Sequence, residues 1–337
     1  MNFGKFLAWM RTFFDGTKDV SRLPILFLHI PKTAGTSFCS AAEKTRSIPE
    51  VLRDYGPQEE SNTGDLHEAL YIQKSPEKVQ SILESRRDYL LSGHFNAEKY
   101  LEFFYPYEVV TFVREPVERI MSSFEYARRK RGYAGNLEDF VSAKGRINLQ
   151  SQQIFPLSTE HIGFIGITDK FEQSINLLNQ MYRLRLKAQY SNSNPDKKLR
   201  QKYKITDSQR ALIQQYNQQD RDVYLQANML MAIRKKYLDM GIAPIYGSYD
   251  INNDSISGHA YQAWSNQALS LTLSLNGKPV ATTLANQYSP LPYKCKQPRK
   301  GYIGFEFAIE PQWANGNQIE VYETSSEQPL MNYGTNT

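Results

Sequence analysis

Cysteine is nearly absent from this chain of 337 residues: Cys39 and Cys295 are the whole complement. Two are too few for a disulfide scaffold or a multi-cysteine zinc module. Histidine is scarce as well, five in all, and none stands in the H-E-x-x-H arrangement of a zinc hydrolase, so no metal is expected. No apolar run approaches the ~20 residues needed to span a bilayer. A secretory signal is missing too, because the early apolar stretch Pro24 to Ile30 is short and leads straight into a polar loop. These absences set the expectation of a reducing, cytoplasmic compartment. At 40% hydrophobic and 22% charged, the composition is that of a globular chain of about two domains, not a disordered or collagen-like one.

The formal net charge of +5 is unevenly spread. From Tyr246 onward there are five basic and seven acidic residues, which puts that region at −2 and the first 245 residues at +7. A basic N-terminal region suits an anionic ligand. The excess is too thin for a nucleic-acid partner, and none is expected.

The composition shifts divide the chain into an amphipathic segment 1–22, an α/β region 23–245 and a β module 246–337. In the first segment Phe3, Phe6, Leu7, Met10, Phe13 and Phe14 fall at helical spacing. A helix packed on the protein's own core is the plain reading, and an interfacial anchor giving peripheral membrane contact, at an inner membrane, is the other. The stretch PILFLHI then reads as a buried strand, the loop PKTAGTS follows, and SFCSAAEK opens a helix. Residues 50–90, polar with two prolines, are expected to form helices around the rim of a site. A second strand, EVVTFV, runs from Glu108 to Val113 into Arg114-Glu115-Pro116, where proline presets the first helical turn. In that helix Val117, Ile120, Met121 and Phe124 share one face, while Arg119 and Ser122 lie on another. Thr168 is placed as the cap of a further helix. Thr206 with Gln209 forms a capping box for one long helix reaching Tyr237, with Gly241 at its end. Between these helices the basic segment 183–204 is read as a solvated loop or as a lid over an anionic ligand. In the C-terminal region, Leu269, Leu271, Leu273 and Leu275 alternate with polar residues and end at Asn276-Gly277, a hairpin signal. With the alternation around Phe305 and Val321, this predicts a small antiparallel β-sandwich.

A strand that enters a helix through a tight loop aims backbone N–H groups and the positive helix end at whatever occupies the loop. Here the loop holds Lys32, Thr33, Ala34, Gly35, Thr36 and Ser37. Gly35 allows close approach, Thr36 and Ser37 add hydroxyls, and Lys32 adds a compact charge. The lysine precedes the glycine, so this is not a Walker A loop. Arg114 at the next strand end, with Ser122 on the following helix, can hold a second phosphate. Pairing of Arg114 with Glu118 or Glu115 is the packing alternative.

These residues bring the chain close to a known family. FLHIPKTAGTSF resembles the 5′-phosphosulfate loop of sulfotransferases that use PAPS (3′-phosphoadenosine 5′-phosphosulfate), in the lysine-bearing form of the carbohydrate type. TFVREPVERIMSSFEYARR resembles the same family's 3′-phosphate motif. LLSGHF resembles the Gly-His segment of the heparan sulfate and uronyl 2-O branch, and GRINLQSQQIF, IGITDKFEQSINLL and NQQDRDVYLQA are similar to its later blocks. The eukaryotic members carry a second histidine where this chain has Ser92. The resemblance spans about residues 23–240, and implies a P-loop-like parallel sheet flanked by helices.

The resemblance further implies that Lys32 stabilises charge on the bridging oxygen and that Thr33 to Ser37 complete the 5′-phosphate cradle. Arg114 and Ser122 would read the 3′-phosphate, and His94 would be the general base, a role that suits imidazole. The expected partners are PAPS as donor and a carbohydrate hydroxyl as acceptor, in a bacterial enzyme. His29, at the end of a buried strand, is read as positional, and Cys39 as a small buried residue. The β module weakly resembles a β-sandwich appended to some bacterial glycan-processing enzymes. Its Tyr261, Trp264 and Trp313 are read as core aromatics, with sugar stacking as the alternative. Two other functional classes remain: a kinase with a degenerate phosphate loop, and a glycan-binding protein that retains a relic nucleotide site.

Overall fold

The computed structural model describes residues 22–189, 203–252, 254–309 and 318–332. The N-terminal amphipathic segment up to residue 21, residues 190–202 of the basic segment, and Trp313 lie outside the described residues.

β1 (Ile25–Leu28), β2 (Glu50–Asp54), β3 (Tyr89–Gly93), β4 (Val109–Val113) and β5 (Phe164–Ile167) form one parallel sheet in the order β2-β3-β1-β4-β5. Every residue of β1, β3, β4 and β5 is buried. That burial explains their continuous apolar runs, since helices cover both faces of a parallel sheet. Phe27, Phe38 and Phe112 interlock at its centre, with ring centroids 4.2 to 6.3 Å apart. Burying each such ring contributes about 1.5–3 kcal/mol.

The helices are α1 (Gly35–Glu43), α2 (Gly64–His67), α3 (Pro76–Glu84), α4 (Pro116–Arg131), α5 (Leu137–Ser142), α6 (Leu149–Ile154), α7 (Phe171–Tyr182), α8 (Asp207–Tyr216) and α9 (Gln218–Asp239). Three expectations are corrected here. Residues 50–90 do contain helices, but also the strands β2 and β3. In EVLRD only Leu52 and Asp54 are buried, so this edge strand carries too little apolar signal to be recognised. Thr168 does not cap α7: its Oγ1 donates to the Val113 carbonyl at 3.0 Å, and a short 3-10 turn precedes the helix. The predicted long helix is two, broken at Asn217, although its capping box at Thr206 and Gln209 is present. Asn217 Oδ1 accepts from the Asn148 N–H at 3.2 Å and from Arg119 Nη2 at 3.4 Å, a tertiary use that interrupts the helix.

In the C-terminal region β6 (Ile245–Ile251), β7 (Ser255–Gln262), β8 (Ser270–Leu275), β9 (Lys278–Leu284), β10 (Gly304–Ala308), β11 (Ile319–Glu323) and β12 (Met331–Asn332) make two sheets, ordered β10-β7-β6-β12 and β11-β8-β9. Tyr249, Ile256 and Phe307 from one sheet pack with Leu271, Leu273 and Val321 from the other, which makes the region a β-sandwich. The pairing is antiparallel except for β12, which lies parallel to β6. Asn276 and Gly277 both take positive φ, 49° and 76°, as the β8–β9 hairpin turn requires. The sandwich shares a core with the α/β region. Tyr246 and Tyr261 are fully buried, Tyr246 Oη donates to the Gly163 carbonyl at 3.1 Å, and Trp264 packs edge-on against Tyr107 and Tyr182.

Candidate functional site

The strand order decides which loops meet. β1 is central, with β3 on one side and β4 on the other, and the chain reverses direction across the sheet between β1 and β4. Ligand crevices form beyond the carboxyl ends of strands at such a switch point. There the loop carrying Lys32 lies between His94, which follows β3, and Arg114, which follows β4.

The loop itself is strained. Lys32 and Ala34 sit in the left-handed region with φ of 70° and 71°, which costs non-glycine residues of order 1–3 kcal/mol each. Left-handed residues alternating with others turn successive N–H groups toward a common point, an anion-binding concavity. Thr33 is fully buried and its hydroxyl donates to the Ile30 carbonyl at 2.8 Å, which pins the turn. Gly35 opens α1, and a Cβ there would lie 2.1 Å from Cδ2 of His29. Only glycine lets the His29 ring pack against the helix start.

His29 in turn holds His94. Nδ1 of His94 donates to the His29 carbonyl at 2.6 Å. A carbonyl only accepts, so the proton is on Nδ1 and Nε2 carries the lone pair. The two rings stack obliquely, with centroids 4.5 Å apart. His94 is solvent-exposed, yet its surroundings hold it below the usual imidazole range: desolvation lowers its pKa most, Arg131 adds to this, and the bond to His29 opposes it. Beneath it, His29 Nδ1 is 2.9 Å from Tyr55 Oη, which lies 3.0 Å from Ser92 Oγ, which lies 3.2 Å from Cys39 Sγ. Burial, helped by the neighbouring His94, pushes His29 down to about 3, so this network stays neutral.

On the other side, buried Gln150 clamps the end of β4. Its Oε1 accepts from the Arg114 N–H at 2.8 Å and its Nε2 donates to the Arg114 carbonyl at 3.0 Å. The Arg114 guanidinium reaches Glu118 through Nη2 at 3.2 Å, while its buried Nε has no partner among the described residues. The packing alternative and an unfilled donor therefore coexist in one side chain. Ser122 is half-buried on α4, one turn beyond Glu118. Tyr126 is one turn further along the same face. Lys32 Nζ lies 4.4 Å from the Tyr126 ring centroid, and the Arg131 guanidinium 5.7 Å from it. Burial lowers the Lys32 pKa, and Arg114 and Arg129 lower it further. Arg114 and Arg129 thus repel Lys32, a repulsion that a bound anion relieves.

The residues singled out in the sequence, Lys32 to Ser37, His94, Arg114 and Ser122, all lie at the carboxyl edge of the sheet. Arg119, three residues before Ser122 on the same helix, is buried and lies 3.6 Å from the buried Asp220. Tyr126, Arg131 and Tyr55 were not singled out. The first could have been found from its four-residue spacing after Ser122, but Tyr55 has no local signal because it meets His29 only through sheet pairing. Among the described residues no cluster of side chains suited to a metal occurs, and no helix is long and apolar enough to cross a membrane.

The family model described as "Sulfotransferase family" matches residues 18–226. The crystal structure of a sulfotransferase from Alicyclobacillus acidocaldarius is similar at 12% identity and a TM-score of 0.32, over 60% of this chain and 94% of that one. No curated protein matches the chain.

Proposed function

The chain belongs to the sulfotransferase family, and from that premise we propose that it transfers the sulfuryl group of PAPS to a carbohydrate hydroxyl. The observation that carries this reading is the fixed tautomer of His94, which presents a bare Nε2 beside the loop of Lys32. In the proposed reaction the acceptor oxygen attacks sulfur in line, the bond from sulfur to the 5′-phosphate oxygen breaks, and the hydroxyl proton passes to His94 Nε2. The products are a sulfate ester and adenosine 3′,5′-bisphosphate. Lys32 and the N–H groups at the start of α1 take up the charge that develops on the departing phosphate, a role that needs fixed donors rather than a mobile solvent.

The Nε of Arg114, without a partner among the described residues, suits the 3′-phosphate, which distinguishes this donor from adenosine phosphosulfate. Lys32 and Arg131 over the Tyr126 ring, with Arg129 close enough to act on Lys32, add a cationic wall along the same crevice. Incubation with labelled PAPS and a panel of polysaccharides tests the reading. Transfer of label to a glycan supports it. Calorimetry that shows no binding of adenosine 3′,5′-bisphosphate overturns it.

A further inference from the structure

A second polar cleft lies at the other end of the molecule. His161 and Ser158 precede β5, so they sit at the amino edge of the parallel sheet, opposite His94. There they face the four-stranded sheet of the sandwich across a cavity of about 440 Å³, within the size range of small-molecule sites. The sheet's register builds the floor. Ser257 of β7 stands between Asp250 of β6 and Glu306 of β10, and the next row on the same face is Ser248, His259 and Gly304. The opposite face of these strands, including Tyr249 and Ile256, is sandwich core. In these two rows the face is polar except for Met331 of β12 beside Ser248, and both carboxylates are exposed, while further along it Tyr246 and Tyr261 are buried core.

The wall is the segment from Gln287 to Tyr293. It lies against the sheet because residue 304 is glycine: a Cβ there would come within 2.4 Å of Ser289 Cβ. Ser289 Oγ and His259 Nε2 are 3.0 Å apart, and Tyr293 Oη lies 2.6 Å from Ser158 Oγ and 2.7 Å from His161 Nδ1. His161 is 3% exposed and its Nε2 has no partner among the described residues, a buried polar atom that a ligand hydroxyl can satisfy. At the rim, Tyr288 is 66% exposed, and its ring lies 5.2 Å from that of Tyr302, itself 51% exposed.

We propose that this cleft is a binding subsite for a neutral saccharide. Asp250 and Glu306 accept hydrogen bonds from sugar hydroxyls, Tyr288 covers a ring face, and a hydroxyl at the inner end satisfies His161 Nε2. The chemistry favours a neutral ligand because two carboxylates and, among the described residues, no lysine or arginine line the cleft. An anionic ligand would be repelled, and a purely apolar one would leave the floor unpaired. The inference stands apart from the sulfate-transfer reading, since it uses none of the residues at the carboxyl edge.

The test is calorimetry on the full chain with neutral hexasaccharides of glucose, mannose and xylose, and with a sulfated hexasaccharide for comparison, in the absence of PAPS. At least one neutral hexasaccharide is expected to bind. Asp250→Asn and Tyr288→Ala, both at exposed positions, should each weaken it about tenfold with unchanged melting temperature, while His94→Ala binds as the parent does. Failure of every neutral hexasaccharide to bind, preference for the sulfated one, or equal binding by Asp250→Asn and Tyr288→Ala overturns the proposal. Loss of sulfate transfer with hexasaccharide binding intact would count against the transfer reading alone.

Discussion

His94 donates its Nδ1 proton to the backbone carbonyl of His29 at 2.6 Å, across the gap between two neighbouring parallel strands. The acceptor is main chain, so this hydrogen bond cannot be lost by a side-chain change at residue 29, and it selects the tautomer that leaves Nε2 basic. His94→Ala is expected to reduce sulfate transfer about 10²–10⁴-fold with bisphosphate affinity little changed. Because desolvation lowers the His94 pKa, the parent rate should rise with pH and level off, with its midpoint below the ordinary imidazole value of about 6.5. A pH–rate profile reads this directly, and a parent-like profile in His94→Ala would remove His94 from the mechanism.

Lys32 is held in its left-handed conformation with Nζ over the Tyr126 ring. A point charge placed where negative charge develops acts mainly on the transition state. Lys32→Ala should therefore lower kcat about 10²-fold or more and change KM for the donor much less. Lys32→Arg should not restore activity, because a planar fork does not fit a site formed for an ammonium group. Steady-state kinetics with varied PAPS separate the two constants. An effect confined to KM would assign Lys32 to ground-state binding only.

Arg114 pairs with Glu118 through Nη2, while its Nε has no partner among the described residues. Arg114→Ala should weaken adenosine 3′,5′-bisphosphate binding by about 1.5–3 kcal/mol, the range for a hydrogen bond to a charged group. Binding of adenosine 5′-monophosphate should change little. Calorimetry with both nucleotides on parent and variant gives the comparison, and an equal loss for the two would show that Arg114 does not read the 3′-phosphate.

The legible parts of this chain are those whose signal is local. PILFLHI and EVVTFV stand out because strands buried on both faces must be apolar throughout. The loop of Lys32 stands out because one glycine, three hydroxyl residues and a lysine serve one short turn. The leucine alternation ending at Asn276-Gly277 predicted the β8–β9 hairpin from the period of a half-buried strand. Edge strand β2 was missed because an edge buries only part of one face. The break at Asn217 and the burial of Arg119 were missed for a different reason: both follow from contacts about seventy to a hundred residues away in the chain, and no window of sequence contains both partners. At the site, His94 and Arg114 could be named from their motifs. The network through Tyr55, Ser92 and Cys39 could not, since it exists only once β1, β2 and β3 are paired.

The buried Arg119–Asp220 pair is such a long-range contact, and it has a measurable cost of removal. Burial pushes the Asp220 carboxyl up, and Arg119 with hydrogen bonds from the Ser151 and Gln150 backbone pulls it down. Asp220→Ala leaves the Arg119 guanidinium, 1% exposed, without its counter-charge. Breaking a buried pair on one side costs about 3–5 kcal/mol. Denaturant unfolding of the variant should show a loss of that size. A loss under ~1 kcal/mol, the range of a surface ion pair, would mean that the 3.6 Å contact contributes little.

The buried histidines make the fold sensitive to acid in a defined direction. Desolvation lowers His161 to about 3, and desolvation with the nearby His94 lowers His29 to about 3. The unfolded chain protonates both near pH ~6.5, whereas the folded chain refuses the proton until far lower. Above that pH neither state is protonated and the two histidines cost nothing. As pH falls from ~6.5 toward ~3 the unfolded state gains protons that the folded state does not, so stability falls by about 1.4 kcal/mol per pH unit for each histidine. His161→Asn keeps a polar side chain near Tyr293 without a titrating group in this range. It should start less stable at pH 7, because the bond of Nδ1 to Tyr293 is disturbed, yet lose less stability than the parent between pH 6 and pH 4. Urea unfolding at three pH values gives both slopes. Parallel lines for parent and variant would show that His161 is already protonated in the folded protein, and would place a charged imidazole, not a neutral one, behind Tyr293.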